Sequence, residues 1–354
     1  MLHEIAQQPV LNTLWFLLVG FFWIGYVILD GFDLGVGMLM SRVFTRDERE
    51  RRTLLNTIGP VWDGNEVWLI TAGAATFAAF PLWYAALFSA LYLPLTLLLL
   101  ALILRAVAIE YRGKGPGLQW SRTWNGLQAG ASAVISLLVG AGLALTTMGL
   151  PLDANGDRVG GAFAWLGWPV LLGGLGMLGY ALAHGLAFTA LKTDGELRHR
   201  ARASLIRWAP ALLTPAVVWF LVVQVRSGEA LSWVLTLGAL AAALIGWAAA
   251  RSGREGLSFA GTAVFMGCGL LGIFAAVYPV VLPSTLDPAF DLTIVSAASA
   301  PYTLMVMSWV GLFGIPVLLV YQSWTYWVFR RRLRVEQIPE AHDVAALADR
   351  PNAR

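Results

Sequence analysis

The chain has 354 residues, 58% of them hydrophobic and only 13% charged, with a mean hydropathy of +0.68. Soluble globular chains carry roughly 25% charged residues, so a water-soluble protein is excluded and most side chains must face lipid or one another. The net charge of +3 does not indicate nucleic acid, because the basic residues form short clusters between apolar blocks, as in membrane topology signals.

A helical span needs about 20 mostly apolar residues to cross a hydrocarbon core roughly 30 Å thick. Nine such stretches are predicted, at 12–40, 57–80, 84–110, 125–149, 163–191, 205–225, 230–250, 258–282 and 302–330. The expected fold is therefore all-α: a polytopic integral membrane protein of nine transmembrane helices, for which two four-helix bundles plus one peripheral helix is one arrangement. Residues 1–11 hold no Lys or Arg and do not read as a cleaved signal peptide. With the N-terminus outside, the inner loops take Arg42 to Arg52, Arg105 to Arg122, Lys192 to Arg207, Arg251 and Arg254, and the tail takes Arg330 to Arg354. Of the 24 basic residues only Arg158 and Arg226 then lie outside, in accord with the retention of basic loops in the cytoplasm. Residues 1–333 form one transmembrane domain and 334–354 a polar cytoplasmic tail with too few apolar residues to pack. The loops at 150–162 and 283–301 read as connections. Gly31 and Gly35, with Gly140, Gly142, Gly173, Gly176 and Gly179, supply flat faces for close helix packing.

A charged side chain at mid-helix costs about 2.5–3.5 kcal/mol on insertion scales, so acids within spans face a protein interior and usually have a function. Here they occur as two pairs, Asp30 with Asp33 in the first span and Asp63 with Glu66 in the second. Each pair is three residues apart, which puts its members on neighbouring parts of one helix face. Asp30 precedes Arg42 by about 18 Å of helix and Asp63 follows Arg52 by about 17 Å. Both pairs are thus expected at one level, lining a single polar pocket in the cytoplasmic half of the membrane. Arg105 is their counter-ion. One guanidinium cannot neutralise four carboxylates, so some acids must be protonated, hydrated or paired elsewhere, the condition of a proton relay. The bland alternative is a set of hydrogen bonds tying helices together.

His184 is the one histidine well inside a span. A b-type haem held by this chain alone would want two facing histidines, so His184 reads first as a hydrogen-bonded helix residue, with haem or quinone contact as the lesser reading. Cys268 is the sole cysteine, which excludes an internal disulfide or a multi-thiolate metal cage, and no metal site is expected. Trp15, Trp83, Trp124, Trp168, Trp324 and Trp327 fall near span ends, where an interfacial belt forms. Trp62 and Trp68 lie among the acids and could pack a porphyrin, a quinone tail or another helix.

Three segments, Asp30-Gly-Phe-Asp-Leu-Gly35, Gly59-Pro-Val-Trp-Asp-Gly-Asn-Glu-Val-Trp-Leu69 and Leu104-Arg-Ala-Val-Ala-Ile-Glu-Tyr-Arg112, resemble subunit II of the cytochrome bd-type quinol oxidases, and the likeness runs to about Arg332. The resemblance implies a subunit of a bacterial respiratory oxidase in the cytoplasmic membrane that couples quinol oxidation to the reduction of dioxygen to water. It implies haems b and d in the partner subunit I and none ligated here, a bound structural quinone, and membrane lipid around the chain; a small single-span accessory subunit is left open. It also associates Asp63 with a proton route from the cytoplasm. Asp63 is accordingly the expected main relay acid, with Glu66, Asp30 and Asp33 as further members, Trp62 as packing and Arg105 as charge partner; no catalytic residue is expected in this chain. The alternative is a proton- or cation-coupled secondary transporter using the same buried acids.

Overall fold

Apolar runs without water to satisfy the backbone must close their hydrogen bonds internally, and the chain does so as helices. The computed structural model describes residues 2–115 and 117–338. Its helices are α1 (Leu2–Leu39), α2 (Glu48–Ile58), α3 (Trp62–Ala79), α4 (Pro81–Ala90), α5 (Tyr92–Tyr111), α6 (Gly117–Met148), α7 (Trp168–Lys192), α8 (Glu196–Ser227), α9 (Ala230–Arg251), α10 (Glu255–Val277) and α11 (Pro301–Val328). Eight of them are long and apolar enough to cross a membrane. The expected second span is α3, whose 18 residues give about 27 Å of helix and whose first turns are too polar for it to pass as a span on composition.

Three local departures from the predicted spans have simple causes. The first basic loop contains α2, started by the Asp47 carboxylate, which accepts from the Glu50 N–H at 2.8 Å, with Glu48 and Glu50 in a first turn that favours acids. A break at Gly59 to Val61 then separates α2 from α3. Pro81 ends α3, because a proline disfavours helix in the residue before it, and the predicted third span becomes α4 and α5, divided at Leu91.

Helices α1, α3, α5 and α6 form one group and α7 to α10 a second, with α1 and α6 packed on α7 between them. Backbones approach closely there. A Cβ on Gly35 of α1 would lie 1.9 Å from the Ala181 carbonyl oxygen of α7, and one on Gly140 of α6 would lie 2.2 Å from that of Gly173. The glycines expected to flatten helix faces do so at these crossings. α11 stands apart, touching α1 and α3, with only 6% of its apolar window buried.

At the end opposite the basic loops, β1 (Val280–Leu282) pairs antiparallel with β2 (Leu292–Thr293). The loop after α6 joins them, with Leu150 N–H donating to the Pro283 carbonyl at 3.1 Å and Ser284 Oγ donating to that of Leu152 at 2.8 Å. At the basic end, the chain leaving α11 folds against the α7–α8 turn: Leu333 N–H donates to the Lys192 carbonyl at 2.8 Å and Asp194 N–H to that of Leu333 at 3.0 Å. Ile338 is buried. The rest of the expected tail, 339–354, lies outside the described residues.

Tryptophan placement differs from a uniform belt. Trp168, Trp324 and Trp327 are exposed, whereas Trp15 and Trp83 are buried. Trp15 Nε1–H donates to the Leu304 carbonyl at 3.1 Å, pinning α1 to α11.

Candidate functional site

On α1, Tyr26, Asp30, Asp33 and Gly37 recur at intervals of four, three and four, one buried stripe of the helix. Asp30 and Arg105 of α5 are both fully buried, and the guanidinium grips the carboxylate with two bonds, Nη2 to Oδ1 at 2.7 Å and Nη1 to Oδ2 at 3.1 Å. Such fork-on-fork pairs are the strong and orienting form of an ion pair. Glu66 of α3 completes the cluster with Oε1 3.7 Å from Arg105 Nη1; its side chain is 16% exposed, the one carboxylate of the three with an edge to the outside.

Asp33 engages a second network that sequence reasoning missed. Asn65 Nδ2–H donates to Asp33 Oδ2 at 2.6 Å, while Asn65 Oδ1 accepts from Gln322 Nε2–H at 2.7 Å and from the Tyr326 hydroxyl at 2.8 Å. A single amide thus ties α1, α3 and α11. The signal was available: Gln322 and Tyr326 are four apart, so one face of an apolar span carries two hydrogen-bonding groups.

Asp63 and Trp62 do not join these clusters. The buried stripe of α3 is Asn65, Trp68, Ala72 and Ala75/Thr76, and at about 100° per residue Asp63 sits some 200° from Asn65, on the far side of the helix. Asp63 is exposed and Trp62 half-buried. The expected common pocket therefore holds Asp30, Asp33, Glu66 and Arg105, with Asp63 on the uncovered face of α3. Trp68 is buried against α1 among Phe21 and Phe22.

His184 is a helix tie. Its Nε2 lies 3.2 Å from the Ile28 carbonyl, which can only accept, so that nitrogen carries the proton; its Nδ1 lies 2.7 Å from the Thr262 hydroxyl. The ring is stacked between Phe259 and Tyr180. With both nitrogens engaged, the residue is not presented to a haem iron. Among the described residues, no three or more His, Cys, Asp or Glu side chains are grouped to hold a metal ion.

At the basic end the inner loops are locked by ion pairs. Glu48 meets Arg112, whose Nε–H donates to Asn125 Oδ1 at 2.5 Å. Glu50 pairs with Arg200 at 2.6 Å, Arg46 with Glu196, and Glu255, 5% exposed, receives Arg198 at 2.8 Å with Arg202 and Arg332 at 3.7 Å. Asp194, in the α7–α8 turn, is held below the usual carboxylate range by the Gly195 N–H and by Arg334. Between α3, α4 and α5 lies an apolar cleft of about 480 Å³ lined by Trp23, Leu69, Phe77, Tyr84, Phe88 and Leu95, among others.

The sequence model of the family described as "Cytochrome bd terminal oxidase subunit II" matches residues 11–329. The chain is 36% identical over 333 residues to the cytochrome bd ubiquinol oxidase subunit 2 of Bacillus subtilis, covering 91% of this chain and 97% of that protein. It is 33% identical over 375 residues to the cytochrome bd-I ubiquinol oxidase subunit 2 of Escherichia coli K12, covering 94% and 98%. In fold it is similar to a chain of the bd oxidase from Geobacillus thermodenitrificans, with a TM-score of 0.67 at 19% identity over 90% of this chain and 98% of that one.

Proposed function

The chain belongs to the cytochrome bd terminal oxidase subunit II family, and from that premise we propose that it is the haem-free subunit of the oxidase and leads protons toward its partner. As a family member it is a multi-pass protein of the bacterial inner membrane and one subunit of a quinol:oxygen oxidoreductase, working with subunit I in a haem-bearing complex. The finer reading is that subunit I holds the haems b and d, which supply the oxygen-reducing chemistry, while this chain braces it and delivers protons from the cytoplasm.

The observation that carries this reading is the excess of carboxylate over guanidinium in the membrane interior. Asp30, Asp33 and Glu66 surround one arginine, and Asp30 is already bound at both oxygens. The remaining acids can exchange protons with water without breaking that pair. Glu66 stands at the edge of the cluster, and Asp63, one helical turn away on the uncovered face of α3, stands where a neighbouring subunit would meet it. A route from the buried cluster through Glu66 to Asp63 therefore leads out of this chain sideways. Reducing one dioxygen to two waters consumes four protons, and drawing them from inside while quinol releases its own outside builds a membrane potential. Trp62 packs beside Asp63 in this scheme. The apolar cleft between α3, α4 and α5 suits the prenyl chain of a bound structural quinone, since its lining offers dispersion contact and little else.

The transporter alternative would use the same acids; with both oxygens of Asp30 held by Arg105, only Asp33 and Glu66 would remain to take a cation, and the family to which the chain belongs is that of an oxidase subunit.

The test is Asp63→Asn in the assembled oxidase. Oxygen consumption and proton uptake should both fall, by about tenfold or more as for a lost proton-transfer group, with the haem spectrum intact. An unchanged rate removes Asp63 from the route.

A further inference from the structure

Gln128 and Ser132 of α6 are 1% and 0% exposed, yet the amide nitrogen and oxygen of Gln128 and the hydroxyl of Ser132 have no hydrogen-bond partner among the described residues. Both side chains converge on Gly37 of α1, where an added Cβ would lie 2.4 Å from Ser132 Oγ and 3.1 Å from Gln128 Nε2. Buried polar groups are paired with protein or with ordered water almost without exception, and a site with this many open donors and acceptors suits water, not hydrocarbon.

Its position in the fold gives the site a direction. Asn125, Gln128 and Ser132 climb one face of α6. At the lower end Asn125 and Glu48 both meet Arg112. Seven residues up α5, about 10 Å, is Arg105, whose Nε is also buried without a partner and whose two terminal nitrogens hold Asp30. Asp33, one turn above Gly37 on α1, likewise has an open Oδ1. Open polar atoms on Gln128, Ser132, Arg105 and Asp33 thus lie between the paired Glu48–Arg112–Asn125 cluster at the basic end and the buried acids.

We propose that the unpaired buried atoms of Gln128 and Ser132, which pack over Gly37, bind ordered water that carries protons inside this chain from the Glu48–Arg112–Asn125 cluster to the Asp30–Arg105–Glu66 cluster. The inference rests on the reading of those acids as a proton route and assigns its entrance. Each hop breaks one O–H bond and forms another. The last proton lands on the Glu66 carboxylate, and the water at Glu48 is replenished from the aqueous side. Gln128 and Ser132 are positioning residues: they orient water and do not themselves gain or lose a proton.

The test uses the complete oxidase in proteoliposomes. Gln128→Leu should lower oxygen turnover and proton uptake by about tenfold and enlarge the solvent deuterium isotope effect, with the haem spectrum and quinol KM unchanged, while Gln128→Glu, which still binds water, should stay within about twofold of wild type. Turnover of Gln128→Leu within about twofold of wild type, alongside a Glu66→Gln variant that is slow, overturns the bound-water path and leaves the acid route standing. Wild-type rates in both Gln128→Leu and Glu66→Gln overturn the route itself. Should Gln128→Leu fail to assemble, Ser132→Ala, which removes one oxygen, takes its place, and a high-resolution map of the wild-type complex decides independently: water density at the Gln128 amide and Ser132 hydroxyl supports the proposal, and the absence of any water there refutes it.

Discussion

The Asp30–Arg105 pair makes the most quantitative prediction. Two unit charges about 4 Å apart at an effective dielectric near 20 attract by about 4 kcal/mol, and breaking a buried pair by removing one partner costs about 3–5 kcal/mol because the other charge is stranded. Arg105→Leu should therefore destabilise the chain by about 3–5 kcal/mol, since it strands Asp30 and also deprives Glu66, 3.7 Å away. Asp30→Leu should cost about 1–2 kcal/mol less, because Arg105 can turn its forked donors to Glu66. In the double variant most of the single-site loss should return, as when buried ion pairs are replaced by apolar side chains. Equilibrium unfolding of the purified oxidase in mixed micelles, followed by tryptophan fluorescence, measures all three. The reasoning is refuted if the two single effects simply add, within about 0.5 kcal/mol, or if Asp30→Leu proves the more damaging.

Three further outcomes follow from particular contacts. Asn65→Leu leaves Asp33, Gln322 and Tyr326 without their shared amide; the loss should be about 1.5–3 kcal/mol for the bond to the carboxylate, and hydrogen exchange in α11 should rise before exchange elsewhere. Gly35→Ala drives a methyl against the Ala181 carbonyl, backbone that cannot swing away, and should cost about 1–3 kcal/mol by overpacking, read as a lower unfolding midpoint. Because the Asp194 carboxyl titrates below its ordinary value, its hold on Arg334, at 3.1 Å, is complete above the unfolded value near 4 and is lost as pH falls through the lowered folded value. Asp194→Asn should accordingly speed tryptic cleavage at Arg331 to Arg334 at neutral pH, and an unchanged cleavage rate would show that the bridge does not hold this segment.

The division between what the chain states openly and what it conceals follows from the range of each interaction. Charges inside apolar runs are conspicuous because their cost in hydrocarbon is paid locally, so Asp30, Asp33, Glu66 and Arg105 stand out and their depths can be counted along the helix. Facing is harder. It depends on where a helix begins, and the break at Gly59 to Val61 resets the phase of α3, so that Glu66 turns inward while Asp63, three residues earlier, is left outside the cluster. Breaks at Pro81 and Leu91 are visible as residues, but whether a proline ends a span or bends it is decided by packing. Least visible are neutral groups whose neighbours lie far along the chain: Asn65 bonds Tyr326, separated by 261 positions, and Gln128 and Ser132 of α6 pack on Gly37 of α1. The same logic explains why Asp63 looks idle in an isolated chain. The buried carboxylates Asp30, Asp33, Glu50 and Glu255 each have a counterpart on another helix of the same polypeptide; Asp63, in the first turn of α3 on its uncovered face, has none among the described residues. Under the route proposed above, an acid so placed is the one that would hand a proton on to subunit I, and Asp63→Asn in the assembled oxidase is its test.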